Sequence, residues 1–158
     1  MKKEIIFLIT EFLLFALYFI DIHFIEYALP FWLDIIFLAI IFIGFIIILF
    51  GVLNLNEDIS IFSSQKKNNV LITNGIYKYI RHPIYAGILI SMMAFAFFSV
   101  SLFKIFITSI LGFVFYFKSS REEKWLIKTY SQFRNYKNKT GRFFPKKNNN
   151  SKYSNNNS

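Results

Sequence analysis

The chain has 158 residues, 55% of them hydrophobic and 21% aromatic, with a formal charge of +9 and no cysteine. A soluble domain of this length could not hide that much apolar surface, so the chain reads as an integral membrane protein of one domain. The missing cysteines exclude disulfides, thiolate metal sites and cysteine nucleophiles, and the basic residues flank apolar stretches instead of forming a nucleic-acid patch.

Four membrane helices are expected. The first, about Glu4 to Ile22, follows Lys2 and Lys3 as a signal peptide would, but Asp21, His23 and Glu26 stand where a small-residue cleavage site should be. It is therefore read as a retained helix. Within it Glu11 is either a functional residue or half of an interhelical hydrogen bond. The second, Phe31 to Leu53, carries only Asp34 as a charge. The third, Pro83 to Phe98, and the fourth, Leu102 to Phe117, fall short of the ~20 residues of a full span. Only Ser99-Val100-Ser101 separates them, which predicts a tight helical hairpin. The fourth is expected to run on through Lys118 into a cytoplasmic helix, and Glu122 and Glu123 are expected just past the end of the fourth helix. Lys124 to Lys139 reads as an amphipathic helix, because Leu126, Tyr130, Phe133 and Lys137 follow helical spacing as one stripe. Such a helix packs on the bundle or lies at the lipid surface. The domain is expected over residues 1–145. The Asn/Ser/Lys-rich 146–158 has no apolar pattern and is expected to be a disordered tail.

Charge sets the orientation. Lys2 and Lys3 precede the first helix, Lys66, Lys67, Lys78 and Arg81 lie between the second and third, and Lys118 begins a basic C-terminal part. The connection between the first two helices has no Lys or Arg, and only Lys104 lies on that side. Both termini are then expected on the cytoplasmic face, together with the segment around Arg81 and the Glu122-Glu123 pair.

That segment, Asn74-Gly75-Ile76-Tyr77-Lys78-Tyr79-Ile80-Arg81-His82-Pro83-Ile84-Tyr85-Ala86-Gly87, concentrates polar chemistry at the mouth of an apolar helix. Pro83 suits the first helical position, where a missing N–H costs nothing. His82 then falls near the N-cap and Tyr85 in the first turn. The free N–H groups and positive dipole end of the helix suit an anion, which Arg81 could also pair. Taken singly, each residue fits an ordinary juxtamembrane loop, and Glu122 alone fits a solvated face pairing with Lys118 four residues earlier. Together and in this order they point to a site. No spacing resembles a metal site.

The stretch resembles the Gly-x-Tyr-…-Arg-His-Pro-x-Tyr-x-Gly motif of the isoprenylcysteine carboxyl methyltransferase and phospholipid methyltransferase family. Leu71-Ile72-Thr73 before it fits, as do Glu122-Glu123, Trp125-Leu126, Tyr130 and Arg142-Phe143-Phe144-Pro145 after it. Asn54-Leu55-Asn56 stands where the family often has tryptophan, Ile59 to Ser64 lacks the usual prolines, and Phe133 replaces an expected Tyr.

The resemblance implies an all-α polytopic bundle of about four spans with a cytoplasmic C-terminal helix. It implies S-adenosylmethionine as cofactor, held by Gly75, Tyr77, His82, Pro83, Tyr85, Glu122 and Glu123, with Arg81, Glu122 and Lys118 as catalytic residues. The expected partners are the lipid bilayer and a lipophilic methyl acceptor, with no metal and no nucleic acid, and the expected location is a bacterial inner membrane. O-methylation of an isoprenylcysteine-like carboxylate is the first reading, and N-methylation of a phosphatidylethanolamine-type phospholipid is the alternative. An NADPH-dependent membrane reductase and a non-enzymatic membrane scaffold are more remote.

Overall fold

The computed structural model describes residues 2–20, 29–58 and 71–146. Five α-helices occupy them: α1 (Lys2–Tyr18), α2 (Phe31–Asp58), α3 (Pro83–Phe98), α4 (Leu102–Thr129) and α5 (Phe133–Lys139), with a short 3₁₀ turn at Gly75–Lys78. The described residues form no strand; one isolated parallel bridge joins Ile80 to Gly141. The acidic connection at Asp21, His23 and Glu26, the Ile59 to Ser64 segment, Lys66 and Lys67, and the 147–158 part of the expected tail lie outside the described residues.

α3 sits centrally, with α2 on one side and α4 on the other, and α1 returns to pack on α4. α2, over Phe31–Leu55, and α4 are each long enough to cross a membrane and contain an apolar window of 18 residues suited to it. α3 is a shorter apolar helix, and its 16 residues rise about 24 Å. Large apolar side chains such as Phe12, Phe42, Phe106 and Phe113 point outward from α1, α2 and α4. An outer surface of this kind belongs in lipid, where helices satisfy every backbone group internally.

Two helices with apolar surfaces all round gain nothing from the hydrophobic effect by meeting inside lipid, so close packing of small residues must hold them. α2 and α3 meet in this way. A Cβ added to Gly87 would lie 2.6 Å from the Gly44 carbonyl oxygen. Ser91, one turn on, donates to the Ile41 carbonyl at 3.3 Å. Gly87→Ala is therefore expected to force the helices apart and cost about 1–3 kcal/mol, read as a lower thermal midpoint in detergent. A variant as stable as the parent would contradict this packing.

α1 is tied to the centre by the buried Tyr18 hydroxyl, which donates to the Met92 carbonyl at 2.6 Å. Leu14, Tyr18, Met92, Ile107, Leu111 and Phe115 form the core there. The hairpin between α3 and α4 is as tight as expected. Val100 takes a positive φ of 49°, and the Ser101 side chain caps α4 by accepting from the Lys104 N–H.

Two expectations are corrected. The Glu122-Glu123 pair lies inside α4, which continues unbroken beyond Lys118 to Thr129. The expected helix from Lys124 to Lys139 is two helices, because Tyr130 leaves helical geometry with φ −121° and ψ 113°. The break turns α5 so that Phe133 is buried and the carbonyls of Lys137 and Thr140 face Arg81. Helical spacing of an apolar stripe cannot register that demand.

Candidate active site

The Gly75 turn begins the site. Gly75 has φ +52°, a left-handed conformation that favours glycine, and its missing side chain makes room for the Asn54 amide. Asn54 accepts from the Ile76 N–H at 2.9 Å, fixing the turn on the end of α2. The Tyr77 hydroxyl donates to the Gly51 carbonyl at 3.3 Å. The asparagine that departs from the family pattern thus has a local structural task.

From there the chain runs beside the C-terminal segment. Arg81 N–H donates to Gly141 O at 2.9 Å, His82 N–H to Arg142 O at 3.1 Å, and Gly141 N–H to Tyr79 O at 3.1 Å. Pro83 occupies the first turn of α3 and His82 its N-cap position, as expected.

Behind this pairing lies Glu123, only 1% exposed. One carboxylate oxygen receives Arg81 Nε at 2.9 Å and Arg142 Nε at 3.3 Å; the other receives Lys137 Nζ at 2.9 Å and Arg142 Nη2 at 3.1 Å. Arg81 Nη1 further donates to the carbonyls of Lys137 and Thr140. Glu123 lies beyond the apolar part of α4. Burial alone would raise its pKa, but His82, Lys137, Arg142 and Arg81 outweigh burial and hold the carboxyl well below the usual carboxylate range. The cluster clamps the start of α3, the extension of α4, α5 and the segment after it.

Glu122 faces a different space. Its side chain is 40% exposed, accepts from the Tyr85 hydroxyl at 2.8 Å and lies 3.4 Å from His82 Nδ1. The His82 and Tyr85 rings are parallel, with centroids 5.6 Å apart, and Tyr85 stacks in turn on Phe115 at 4.6 Å. His82 Nε2 is buried without a hydrogen-bond partner among the described residues, although Glu123 Oε1 stands 3.5 Å away. A cleft of about 280 Å³ is lined by Tyr77, Arg81, His82, Pro83, Tyr85 and Glu122, with Leu55, Ile84 and Leu126 as its apolar part. Six of the sequence-derived site residues therefore share one cleft. Gly75 and Glu123 support it from behind, and neither lines it.

Lys118 does not pair with Glu122. Its ammonium reaches both carboxylate oxygens of Glu11 on α1, at 2.7 and 2.8 Å, and lies 5.4 Å from the Tyr85 ring centroid. Of the two readings of Glu11, the interhelical contact is the one formed. A double-mutant cycle on Glu11→Gln and Lys118→Met is expected to give a coupling of about 1 kcal/mol in thermal unfolding. Additive effects would show the pair to be incidental. Spacing could suggest neither this pair nor the contributions of Lys137, Thr140 and Arg142, because all are brought in from distant sequence.

The described residues form an all-helical, lipid-compatible architecture with a polar cleft at a helix mouth, lined by imidazole, phenols and carboxylate. The sequence model of the phospholipid methyltransferase family (PEMT) matches residues 33–133, and the chain belongs to that family. It is thus a membrane methyltransferase. No match was found among curated proteins. The matched region contains Arg81, His82, Tyr85, Lys118, Glu122 and Glu123; Glu11, Lys137 and Arg142, which complete the ion pairs, lie outside it.

Proposed function

We propose that this protein is an S-adenosylmethionine-dependent methyltransferase that modifies the head group of a lipophilic acceptor, and that the head group is an amine. The residues lining the cleft suit such a cofactor: an aromatic ring at Tyr77, the Tyr85 hydroxyl and a partly exposed carboxylate at Glu122, with the His82 imidazole beside it. When bound, the cofactor supplies a methyl group already activated on sulfonium. The protein's own task is to bind, orient and exclude water.

The observation that carries the amine reading is the state of the cations. Arg81 is engaged by Glu123 and two carbonyls, and Lys118 by Glu11. Glu122 is the carboxylate left facing the cleft among the described residues. A carboxylate acceptor would need a free cation. An amine acceptor needs a carboxylate to hold it and a base to take its proton, and Glu122 and His82 can serve in those roles. Glu123 and Arg81 would then position the cleft wall, Gly75 and Lys118 would support it from outside, and Tyr77, His82, Pro83, Tyr85 and Glu122 would surround the cofactor and the reacting groups. The second reading, O-methylation of an isoprenylcysteine-like carboxylate, draws on Arg81 lining the cleft and requires it to leave Glu123.

The wider arrangement follows from the same reasoning. Residues 1–145 form one catalytic unit, with α1 to α4 as four crossings of a bacterial inner membrane. The Lys/Arg asymmetry supports placing both termini, the cleft and α5 on the cytoplasmic face. The acceptor enters sideways from the bilayer, since a soluble acceptor would not require so much lipid-facing helix.

A radiolabelled methyl-transfer assay on the detergent-purified protein tests this. An ethanolamine phospholipid, a prenylcysteine acid and the tail-less analogue of each are offered with S-adenosylmethionine. Transfer to the ethanolamine lipid above all others is expected. Preference for the prenylcysteine acid would overturn the amine assignment, and equal transfer to tail-less analogues would overturn lateral entry.

A further inference from the structure

We propose that a second cavity, between the Lys78-Tyr79 turn and α5, binds the phosphate-bearing head of an anionic membrane lipid. The site is separate from the methyl-transfer cleft and does not depend on which acceptor that cleft takes.

The cavity measures about 480 Å³, and the side chains bearing on its chemistry are Thr73, Lys78, Tyr79, Asn135, Lys139 and Lys146. No lining residue is acidic. Among the described residues, Lys78 and Lys139 form no ion pair. The Lys78 ammonium lies 6.0 Å from the Tyr79 ring centroid, and Lys146 donates to an uncharged acceptor, the Asn138 carbonyl, at 2.8 Å. Glu123, behind the wall, is already surrounded by Arg81, Arg142 and Lys137. Three ammonium groups around one hollow without a carboxylate leave the balancing anion to come from outside. Hydroxyl and amide donors at Thr73, Tyr79 and Asn135 add to what a phosphate oxygen can use.

Two features identify the source of that phosphate as a lipid. Tyr79 and Phe144 are exposed beside the cavity, and aromatic side chains of this kind anchor at the bilayer interface. Phe143 and Phe144 also line an almost wholly apolar groove of about 440 Å³, which follows α3 from Ala86 to Phe97. The next residue, Pro145, lines the basic cavity. A head site and a tail path therefore meet at consecutive residues, an arrangement a soluble anion would not need. Tyr136 lines the basic cavity, and its hydroxyl donates to the Tyr77 carbonyl at 2.6 Å, closing the wall against the cleft.

The full-length protein in detergent would be titrated with short-chain phosphatidylglycerol, with phosphatidylcholine of the same chain length, and with inorganic phosphate. Phosphatidylglycerol is expected to bind at least about tenfold tighter than either of the others. Removing two interfacial lysines, as Lys78→Gln with Lys139→Gln, should weaken it about thirtyfold and leave S-adenosylmethionine binding unchanged. The exposed pair Lys124→Gln with Lys128→Gln, outside the cavity, should change it less than about threefold. Equal binding of the two lipids would overturn the proposal, as would an equal loss in the control pair, which would indicate diffuse surface charge. Inorganic phosphate binding as tightly as the lipid would assign the cavity to a soluble anion instead. Should the double variant fold poorly, Lys146→Gln alone is expected to weaken the lipid about fivefold, and an unchanged affinity there would equally refute the site.

Discussion

Glu123→Ala is expected to lower stability by about 3–5 kcal/mol and to abolish methyl transfer with it. The side chain is fully enclosed, and its removal leaves Arg81 and Arg142 without their carboxylate in a buried place. Lys137 is 38% exposed and turns to water, so its share of the loss is small. The clamp also has a pH signature. The Glu123 carboxyl is held below its ordinary range in the fold, so its contribution is fully present above the unfolded value near ~4.3. It is lost as acidity increases below that. The wild-type thermal midpoint should fall between about pH 5 and pH 3 more steeply than that of Glu123→Gln. Parallel curves for the two proteins would show that Glu123 is not the residue through which acid acts.

Much of this was legible along the chain. Pro83 announced the start of α3 because its ring suits a first turn and little else. Ser99-Val100-Ser101 announced the tight hairpin between α3 and α4, because three residues leave room for no longer connection. The Arg81-His82 segment and the Glu pair do meet at one end of the bundle, and the family match agrees with the motif. What could not be read was how the two adjacent glutamates divide. Side by side in sequence, they look interchangeable. On the helix they point about 100° apart, one into a cage of cations and the other into the cleft. Glu11 was equally opaque, because its partner lies on α4 and only packing of α1 brings Lys118 within reach. The kink at Tyr130 escaped because an apolar stripe continues through it. Periodicity records which side chains are apolar, whereas the bend answers to the backbone carbonyls that Arg81 requires.

The adjacent glutamate should behave in the opposite way. Glu122→Gln is expected to leave the thermal midpoint nearly unchanged, since the side chain is 40% exposed and an amide oxygen can still accept from the Tyr85 hydroxyl. Transfer to an amine acceptor should nevertheless fall by about 10²–10⁴-fold, because Glu122 holds the acceptor and orients His82, the base whose positioned proton transfer is worth that much. The substitution removes the charge that would hold an ammonium and the oxygen that lies 3.4 Å from His82 Nδ1. Tyr85→Phe provides the graded control. It keeps the ring stacked on Phe115 and deletes only the hydroxyl that donates to Glu122, so a loss of about tenfold is expected for one hydrogen bond to a charged group. Calorimetry on Glu122→Ala and His82→Ala adds the binding side, with S-adenosylmethionine affinity expected to weaken about 10–150-fold in each. Full activity in Glu122→Gln together with unchanged cofactor affinity in both alanine variants would move the chemistry out of this cleft. A loss confined to Glu122→Gln, with cofactor binding intact, would place Glu122 on the acceptor side and leave the cofactor to Tyr77 and the Tyr85 hydroxyl.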